Sequence, residues 1–167
     1  KTVTNDANVG DFKPDWLWIK ARSGNYAARD HALYDSSRGA TKRLESSATD
    51  AEATDSNNTF NTNGFTLTSN YSINGPSTNH VAWQWKCNGG TTTSVSASGS
   101  GATQIVASTH QANTEAGFSI VTFTAPSIGS GNDYTVSHGL GAIPEVIILK
   151  RRDGTGNWHG SYQRAQR

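Results

Sequence analysis

The sequence predicts an all-β fold, a sandwich of short antiparallel strands with little helix. Gly, Ser, Thr and Asn are abundant and Met is absent, a composition that favours strands joined by polar turns. The apolar runs are short and are separated by turn residues. No segment has the apolar spacing of an amphipathic helix. These three observations together predict the fold class.

The predicted strands extend from a Trp-rich segment near the start to an apolar run near the end. They are Trp16–Ile19, Ala32–Tyr34, Gly64–Thr68, His80–Lys86, Phe118–Phe123, Tyr134–Val136 and Val146–Leu149. In the fourth strand Val81, Trp83 and Trp85 share one face, which we expect to line the sandwich core. Val146–Leu149 is apolar throughout, so we expect burial on both of its faces.

Two polar segments separate these strands. Ser46–Asn63 is compatible with one helical turn around Ala48–Ala53, and nothing in it supports a long helix. Gly89–Gly101 has the composition of a flexible connection that carries at most one weak strand.

An internal repeat is the strongest signal in the sequence. An offset of 130 residues aligns Pro14 with Pro144, Asp15 with Glu145, Trp16–Ile19 with Val146–Leu149, Lys20 with Lys150 and Arg22 with Arg152. An offset of 128 residues then aligns His31–Tyr34 with His159–Tyr162. A shorter loop in the second copy explains the change of offset, because loop lengths vary more easily than strand registers. This period is that of a domain, so we infer two copies of one β module.

The repeat divides the chain into three parts. Residues 1–88 hold most of the first copy without its opening strand, residues 89–116 form a Gly/Ser/Thr-rich connection, and residues 117–167 hold the opening part of the second copy. Phe118–Phe123 either takes the place of the missing opening strand and closes one sandwich, or the chain borrows strands from neighbouring chains. Either arrangement would cover an exposed sheet edge. The start at Lys1 and the absence of Met lead us to expect a piece of a longer protein.

Four motifs carry a resemblance to a known family. They are Gly117–Ser119, His138–Gly141, Ser37–Lys42 and Trp83–Lys86. With these motifs, nearly the whole chain resembles the tandem modules of tail-fibre-like and appendage proteins of marine phages, especially phages that infect cyanobacteria. Those modules are similar to concanavalin A-like lectin and glucanase sandwiches, so the resemblance implies a concanavalin A-like jelly roll. Gln84 and Cys87 depart from the small or apolar residues expected in their strand.

The composition argues against several classes of partner. The net charge is +1 and 16% of residues are charged, so we expect no nucleic-acid binding. The single Cys87 rules out an internal disulfide framework. No apolar run approaches the roughly 20 residues needed to span a bilayer, so we expect no membrane insertion.

Catalytic carboxylates are the first candidates for chemistry. Asp50, Glu52 and Asp55 lie close in sequence, and glycoside hydrolysis requires two carboxylates about 5–10 Å apart. Their neighbours are Ala, Thr and Ser without apolar alternation, so we expect a solvated loop. No Gly-x-Ser-x-Gly elbow of a hydrolase occurs. We therefore expect no enzyme and no cofactor, with glycan hydrolysis as the least supported alternative.

The histidines and one acidic loop are candidates for metal binding. No two His residues have the spacing of a local metal site. We expect His138 to hydrogen-bond the tight turn that follows it, and the matched His31 and His159 to have structural roles. Asp153–Asn157 alternates oxygen ligands as a calcium loop does, but it lacks the distal acid, and a hairpin turn explains it. We predict no metal site.

Aromatic residues are the remaining candidates for binding. We expect Trp16 and Trp18 on opposite sides of their sheet, one in the core and the other against a second layer, a neighbouring subunit or a ligand. Trp158 follows a turn, where we expect exposure, and with Tyr162 it offers faces on which sugar rings stack. The candidate contacts for a glycan or a protein partner are Trp158, Tyr162, Trp16 and Tyr34.

The resemblance and the repeat lead to one expected function. The chain is expected to be a structural module of a phage virion protein, in a tail fibre, an appendage or a surface decoration, acting in assembly and display. Its expected partners are its own copies in a homo-oligomer and other virion proteins. The alternative is a carbohydrate-binding module that recognises host surface polysaccharide.

Overall fold

The computed structural model describes residues 1–6, 10–100, 104–127 and 133–163. Its strands are β1 (Thr2–Val3), β2 (Trp16–Ser23), β3 (Ala32–Asp35), β4 (Gly39–Leu44), β5 (Ala53–Thr54), β6 (Asn58–Asn61), β7 (Gly64–Leu67), β8 (Asn79–Trp85), β9 (Thr93–Val95), β10 (Ser108–Asn113), β11 (Phe118–Phe123), β12 (Val146–Lys150) and β13 (Trp158–Tyr162). The helix in the described part is α1 (Tyr71–Asn74), and it is too short to cross a membrane. The predicted all-β class is therefore confirmed, while the jelly-roll topology stays a prediction.

Residues 1–6 and 10–87 form a two-layer sandwich. One layer is a five-stranded antiparallel sheet with the order β5-β4-β3-β2-β8, and the other is a three-stranded sheet with the order β1-β7-β6. Leu17, Ile19 and Tyr34 project from the first layer, and Phe65 and Leu67 project from the second. These side chains are at most 6% exposed, and each stabilises the fold by about 1.5–3 kcal/mol through burial.

A glycine allows the second layer to close tightly. Thr62 and Asn63 form the turn between β6 and β7, and Gly64 follows them with a φ of 109°, a region that favours glycine. A Cβ atom added to Gly64 would overlap the carbonyl oxygen of Val3, so only glycine lets β1 approach β7. The alternation predicted for Gly64–Thr68 is confirmed, because Phe65 and Leu67 face the core and Thr66 does not.

A separate three-stranded antiparallel sheet, β9-β10-β11, follows the sandwich. The weak strand allowed within Gly89–Gly101 is β9. The Phe118–Phe123 strand is present as β11, but it pairs with β10 along its whole length. It therefore lies in neither sheet of the first sandwich, and the closure of that sandwich through this strand, one of the two expected arrangements, is not observed. The strand predicted at Tyr134–Val136 is reduced to one bridge between Ile105 and Thr135.

The last two strands repeat the hairpin formed by β2 and β3. In the first copy the amide of Ser36 donates to the carbonyl of Asp15, and in the second the amide of Gln163 donates to the carbonyl of Glu145, both at 2.8 Å. The side-chain ammonium groups of the matched Lys20 and Lys150 both donate to loop carbonyls. The internal repeat in the sequence thus corresponds to a β-hairpin that occurs twice in the structure.

The two hairpins differ by one residue in register. Leu17 lies opposite Tyr34, whereas Val146 lies opposite Tyr162. A one-residue shift moves side chains of one strand to the other face relative to its partner. Tyr162 therefore shares a face with Val146 and Ile148, and it does not occupy the position that Tyr34 has in the first copy.

A buried carboxylate joins the sandwich to the sheet that follows it. Asp15 is 0% exposed and accepts hydrogen bonds from the hydroxyl of Ser36 at 2.6 Å and from the amides of Cys87 at 2.7 Å and Gly89 at 2.8 Å. The same Ser36 hydroxyl accepts from the side-chain amide of Gln111 in β10, at 2.8 Å. The turn after β3, the segment after β8 and, through Ser36, strand β10 are thus joined by one side chain.

We expect Asp15→Ala to lower the free energy of unfolding by about 3 kcal/mol, because it leaves the buried amide of Cys87 and the part-buried amide of Gly89 without an acceptor. A loss of this size should lower the melting temperature by roughly 10 °C for a chain of this length. Thermal and urea unfolding of both proteins measure it. Asp11→Ala is the matched control, since Asp11 is exposed and among the described residues accepts only from Asn63. Equal losses in the two variants would contradict the role given to Asp15.

Candidate functional site: a tryptophan face and an apolar hairpin

Four tryptophans form a cluster on the side of the five-stranded sheet that faces away from the core. This tryptophan face consists of Trp16, Trp18, Trp83 and Trp85. Trp16 lies opposite Trp85 and Trp18 lies opposite Trp83 in the pairing of β2 with β8. The ring centroids of these pairs are 4.5 Å and 5.6 Å apart. Cross-strand aromatic pairs of this kind contribute about 0.5–1.5 kcal/mol each beyond burial.

Two expectations about these tryptophans are wrong. Trp16 and Trp18 lie on one side of the sheet, because residues two apart in a strand share a face. Trp83 and Trp85 are 44% and 36% exposed and do not line the core. The inward residue of β8 is Gln84, which donates to the side chain of the buried Asn5 at 2.8 Å. The alternation of β8 is as predicted, but its orientation is inverted.

One indole N–H group of the tryptophan face has a hydrogen-bond acceptor among the described residues, and the other three have none. The indole of Trp18 donates to Nδ1 of His31 at 2.7 Å, so this nitrogen acts as an acceptor. Burial, with the charge of Lys20, lowers the pKa of His31 and favours the neutral ring that this bond requires. The indoles of Trp16, Trp83 and Trp85 donate to no atom of the described residues, which leaves donors for an external acceptor.

The β9-β10-β11 sheet covers one end of the tryptophan face. The ring of Phe118 in β11 lies 5.8 Å from that of Trp16 and 6.3 Å from that of Trp85. Below this contact the thiol of Cys87 lies 3.2 Å from the carbonyl oxygen of Gln111. Burial and the Asp15 carboxylate raise the pKa of Cys87 to about 11, so the thiol is not a nucleophile at neutral pH. The end of the face at Trp18 and Trp83 stays open.

The β12–β13 hairpin is the second candidate surface. Val146, Ile147, Ile148 and Leu149 are between 43% and 64% exposed, and Tyr162 at the end of β13 is 72% exposed. The expected burial of Val146–Leu149 is wrong, because no sheet within the described residues packs on either face. Contiguous apolar exposure of this kind marks a surface for another molecule.

The turn of this hairpin is fixed to the first sandwich. The indole of Trp158 donates to the carbonyl of Glu45 at 2.8 Å, and the amide of Gly156 donates to the carbonyl of Thr49 at 2.9 Å. The amide of Glu52 donates to the carbonyl of Arg152 at 2.9 Å. The hairpin is therefore held at its turn while its strands are exposed.

Glu52 completes this attachment by pairing with arginines from both copies. It accepts from Arg38 at 2.9 Å and from Arg152 at 2.8 and 2.9 Å. Burial alone raises the pKa of Glu52, but the hydrogen bonds and charges of Arg152 and Arg38 outweigh it and lower the pKa. The neighbouring Asp55 accepts from Arg43 at 2.8 Å. Both carboxylates are ion-pair partners, and the lowered pKa of Glu52 does not suit the general acid of a glycosidase.

The structure separates the aromatic residues proposed as contacts. Trp158 and Tyr162 share one face of β13, about 13 Å apart along the strand. Trp16 belongs to the tryptophan face, on another sheet. Tyr34 is 0% exposed, and its hydroxyl donates to Asp55 inside the sandwich, so its selection as a contact residue is wrong. Trp158 is half-buried by the attachment to Glu45.

The remaining candidate residues are His138 and the Asp153–Asn157 loop. Nδ1 of His138 accepts from the amide of Leu140 at 3.2 Å, which confirms its role in the turn. Gly139 packs against the ring of His110 so closely that a Cβ atom would overlap it. Asp153–Asn157 lies in the loop between β12 and β13, where Asp153 accepts from Arg151. Across the described ranges no three His, Cys, Asp or Glu side chains form a group that could hold a metal ion.

We expect the Glu52 attachment to be lost in acid. A carboxylate with a lowered folded-state pKa stabilises the fold above its ordinary pKa of 4.5, and this stabilisation disappears as the pH falls through the lowered value. Glu52→Gln should cost about 1–2 kcal/mol near pH 7, and this cost should shrink as the pH falls below 4.5. Urea unfolding across this range measures it, with the exposed Glu115→Gln as control. A constant difference between Glu52→Gln and the parent at all pH values would contradict the assignment.

Comparisons with known proteins give one match. A family described as a domain of unknown function (DUF7483) matches residues 2–166. No curated protein and no solved structure matches the chain. The match spans nearly the full sequence, and the chain therefore belongs to the DUF7483 family.

Proposed function

We propose that the chain is a structural module of a phage virion protein, with a concanavalin A-like jelly roll as its core. It acts in assembly and display in a tail fibre, an appendage or a surface decoration. Its partners are its own copies and other virion proteins. The observation that carries this proposal is the exposed apolar hairpin at the end of a repeated sequence.

In the first copy of the repeat, the strand that corresponds to β12 is covered by a second layer. Leu17 and Ile19 are 0% and 1% exposed, because the second layer of the sandwich covers β2. Their counterparts Ile147 and Leu149 are 52% and 43% exposed. Leaving two such side chains half-exposed forfeits on the order of 1 kcal/mol each relative to burial. A surface of this kind favours an assembly protein, whose apolar faces are covered by neighbours.

The attachment between the copies suits a mechanical role. Main-chain hydrogen bonds join Glu52 to Arg152 and Thr49 to Gly156, and the Glu52 carboxylate bridges arginines of both copies. These bonds fix the exposed hairpin in orientation relative to the sandwich. The acids at 52 and 55 serve as ion-pair partners, which supports a role without turnover.

The virion proposal is tested on particles. We expect antibodies raised against the recombinant chain to label purified particles of a phage that encodes it, at a fixed place on the tail, appendage or capsid. Electron microscopy with gold-labelled antibody provides the measurement, and peptides of the chain should be found in protein digests of the same particles. Particles of a phage lacking the gene are the control. Detection only in the lysate, with clean particles, would overturn the proposal.

The tryptophan face favours glycan recognition as a second candidate function. Indole rings stack on the apolar faces of pyranose rings, and the indole N–H groups of Trp83 and Trp85, which donate to no described residue, can donate to sugar oxygens. The face is open at Trp83, which is 44% exposed. The ligand class would be a host surface polysaccharide, bound by a protein that remains part of the virion.

We expect Trp83→Ala to weaken glycan binding by at least about tenfold, because it removes the most exposed ring of the face. The measurement is a screen of the recombinant chain on immobilised host polysaccharides, followed by calorimetry. Tyr162→Ala is the comparison, since Tyr162 is an exposed aromatic on the other candidate surface. Loss of binding with Tyr162→Ala alone would move the site to the hairpin, and no binding to any polysaccharide would remove this candidate.

A further inference from the structure

We propose that β12 pairs with β12 of a second copy of this chain, antiparallel and around a two-fold axis at Ile148. The result is a four-stranded sheet with the order β13-β12-β12-β13 across two protomers. This inference deepens the proposed structural function and names the surface and the partner through which the module assembles.

The free edge of β12 is the first argument. The amide of Gln163 donates to the carbonyl of Glu145, so the main-chain groups of Glu145, Ile147 and Leu149 point toward β13. By the alternation of an antiparallel ladder, those of Val146 and Ile148 point to the opposite edge. No described residue forms a main-chain hydrogen bond with that edge.

The first copy shows that this edge takes a strand. There β2 lies between β3 and β8, and Trp18 pairs with Trp83 across the second ladder. Trp18 is the counterpart of Ile148 in the repeat. The second copy has the counterpart of β3, which is β13, and within residues 133–163 no strand lies on the other side of β12. An apolar edge strand of this kind, with no charge or proline in its middle, is a template for pairing.

Symmetry and charge select the register. In an antiparallel pair, opposite residues share a face, so a two-fold axis through Ile148 sets Ile147 opposite Leu149 and Glu145 opposite Arg151 of the second copy. Each of these contacts then occurs twice. Opposite charges and apolar pairs in these positions contribute about 0.2–1 kcal/mol each.

Moving the two-fold axis by one residue gives less favourable contacts between the two β12 strands. The axis at Ile148 also sets Val146 opposite Lys150, whose methylene groups can cover an apolar side chain. An axis at Ile147 instead sets Glu145 opposite Leu149 and leaves this carboxylate without an opposite charge. An axis at Leu149 sets Glu145 opposite Asp153, which places like charges together. The sequence Pro144-Glu145 before the apolar run and Lys150-Arg151 after it thus matches a self-complementary edge centred on Ile148.

The oligomeric state of the full chain tests the pairing. Sedimentation equilibrium over a range of concentrations should show a dimer of twice 17.8 kDa in equilibrium with the monomer. Ile148→Pro removes an amide that points to the free edge and leaves the β12–β13 bonds in place, so it should abolish the dimer. Tyr71→Ala is the control, since Tyr71 is 55% exposed in α1, away from the hairpin.

Charge reversal provides a second measurement that does not depend on proline. Glu145→Arg and Arg151→Glu each place like charges opposite one another and should raise the dissociation constant by about tenfold. The double variant restores opposite charges and should recover most of the loss. Circular dichroism of each variant checks that the fold is retained. A monomer at all concentrations, a dimer that survives Ile148→Pro, or no recovery in the double variant would overturn the proposed pairing.

The proposed virion function and the proposed β12 pairing can be overturned independently of each other. Labelled particles with a monomeric chain would overturn the β12 pairing alone, because the module would then contact other virion proteins. A β12-dependent dimer that is missing from particles would overturn the virion assignment alone.

Discussion

The buried carboxylate of Asp15 is the interaction on which the arrangement of the chain depends. It accepts hydrogen bonds from the turn after β3 and from the segment after β8, and Gln111 of β10 joins the same network through Ser36. No lysine or arginine among the described residues forms a salt bridge with it, so hydrogen bonds alone compensate for its burial. A carboxylate in such surroundings tolerates few alternative geometries, and this fixes the β9-β10-β11 sheet against the sandwich.

Much of the fold follows from local sequence patterns. The alternation in Gly64–Thr68 predicts both the strand and its buried face, and the repeated Pro-acid-apolar-Lys pattern predicts the first strand of each hairpin. Strands without apolar alternation, such as β10 with its sequence Ser108–Asn113, give no such signal. The pairing of β11 could not be predicted either, since it depends on β10.

The candidate surfaces were harder to predict, for a physical reason. Alternation shows that Trp83 and Trp85 share a face, but which face is buried depends on Leu17, more than sixty residues earlier, lying opposite Gln84. The exposure of Val146–Leu149 depends on which layers are present to cover it, and its sequence is that of a buried strand. Glu52 shows the same limit: its arginine partners are distant in sequence, so a residue expected in a solvated loop joins the two copies.

The packing of the tryptophan face has an optical consequence. The rings of Trp16 and Trp85 lie 4.5 Å apart with their planes inclined by 47°, a geometry in which the electronic transitions of two indoles couple. Coupled indoles give a paired positive and negative band in circular dichroism, which isolated tryptophans lack. Because the pair joins strands far apart in the sequence, this signal reports formation of the β2–β8 ladder and offers a direct view of tertiary assembly during refolding.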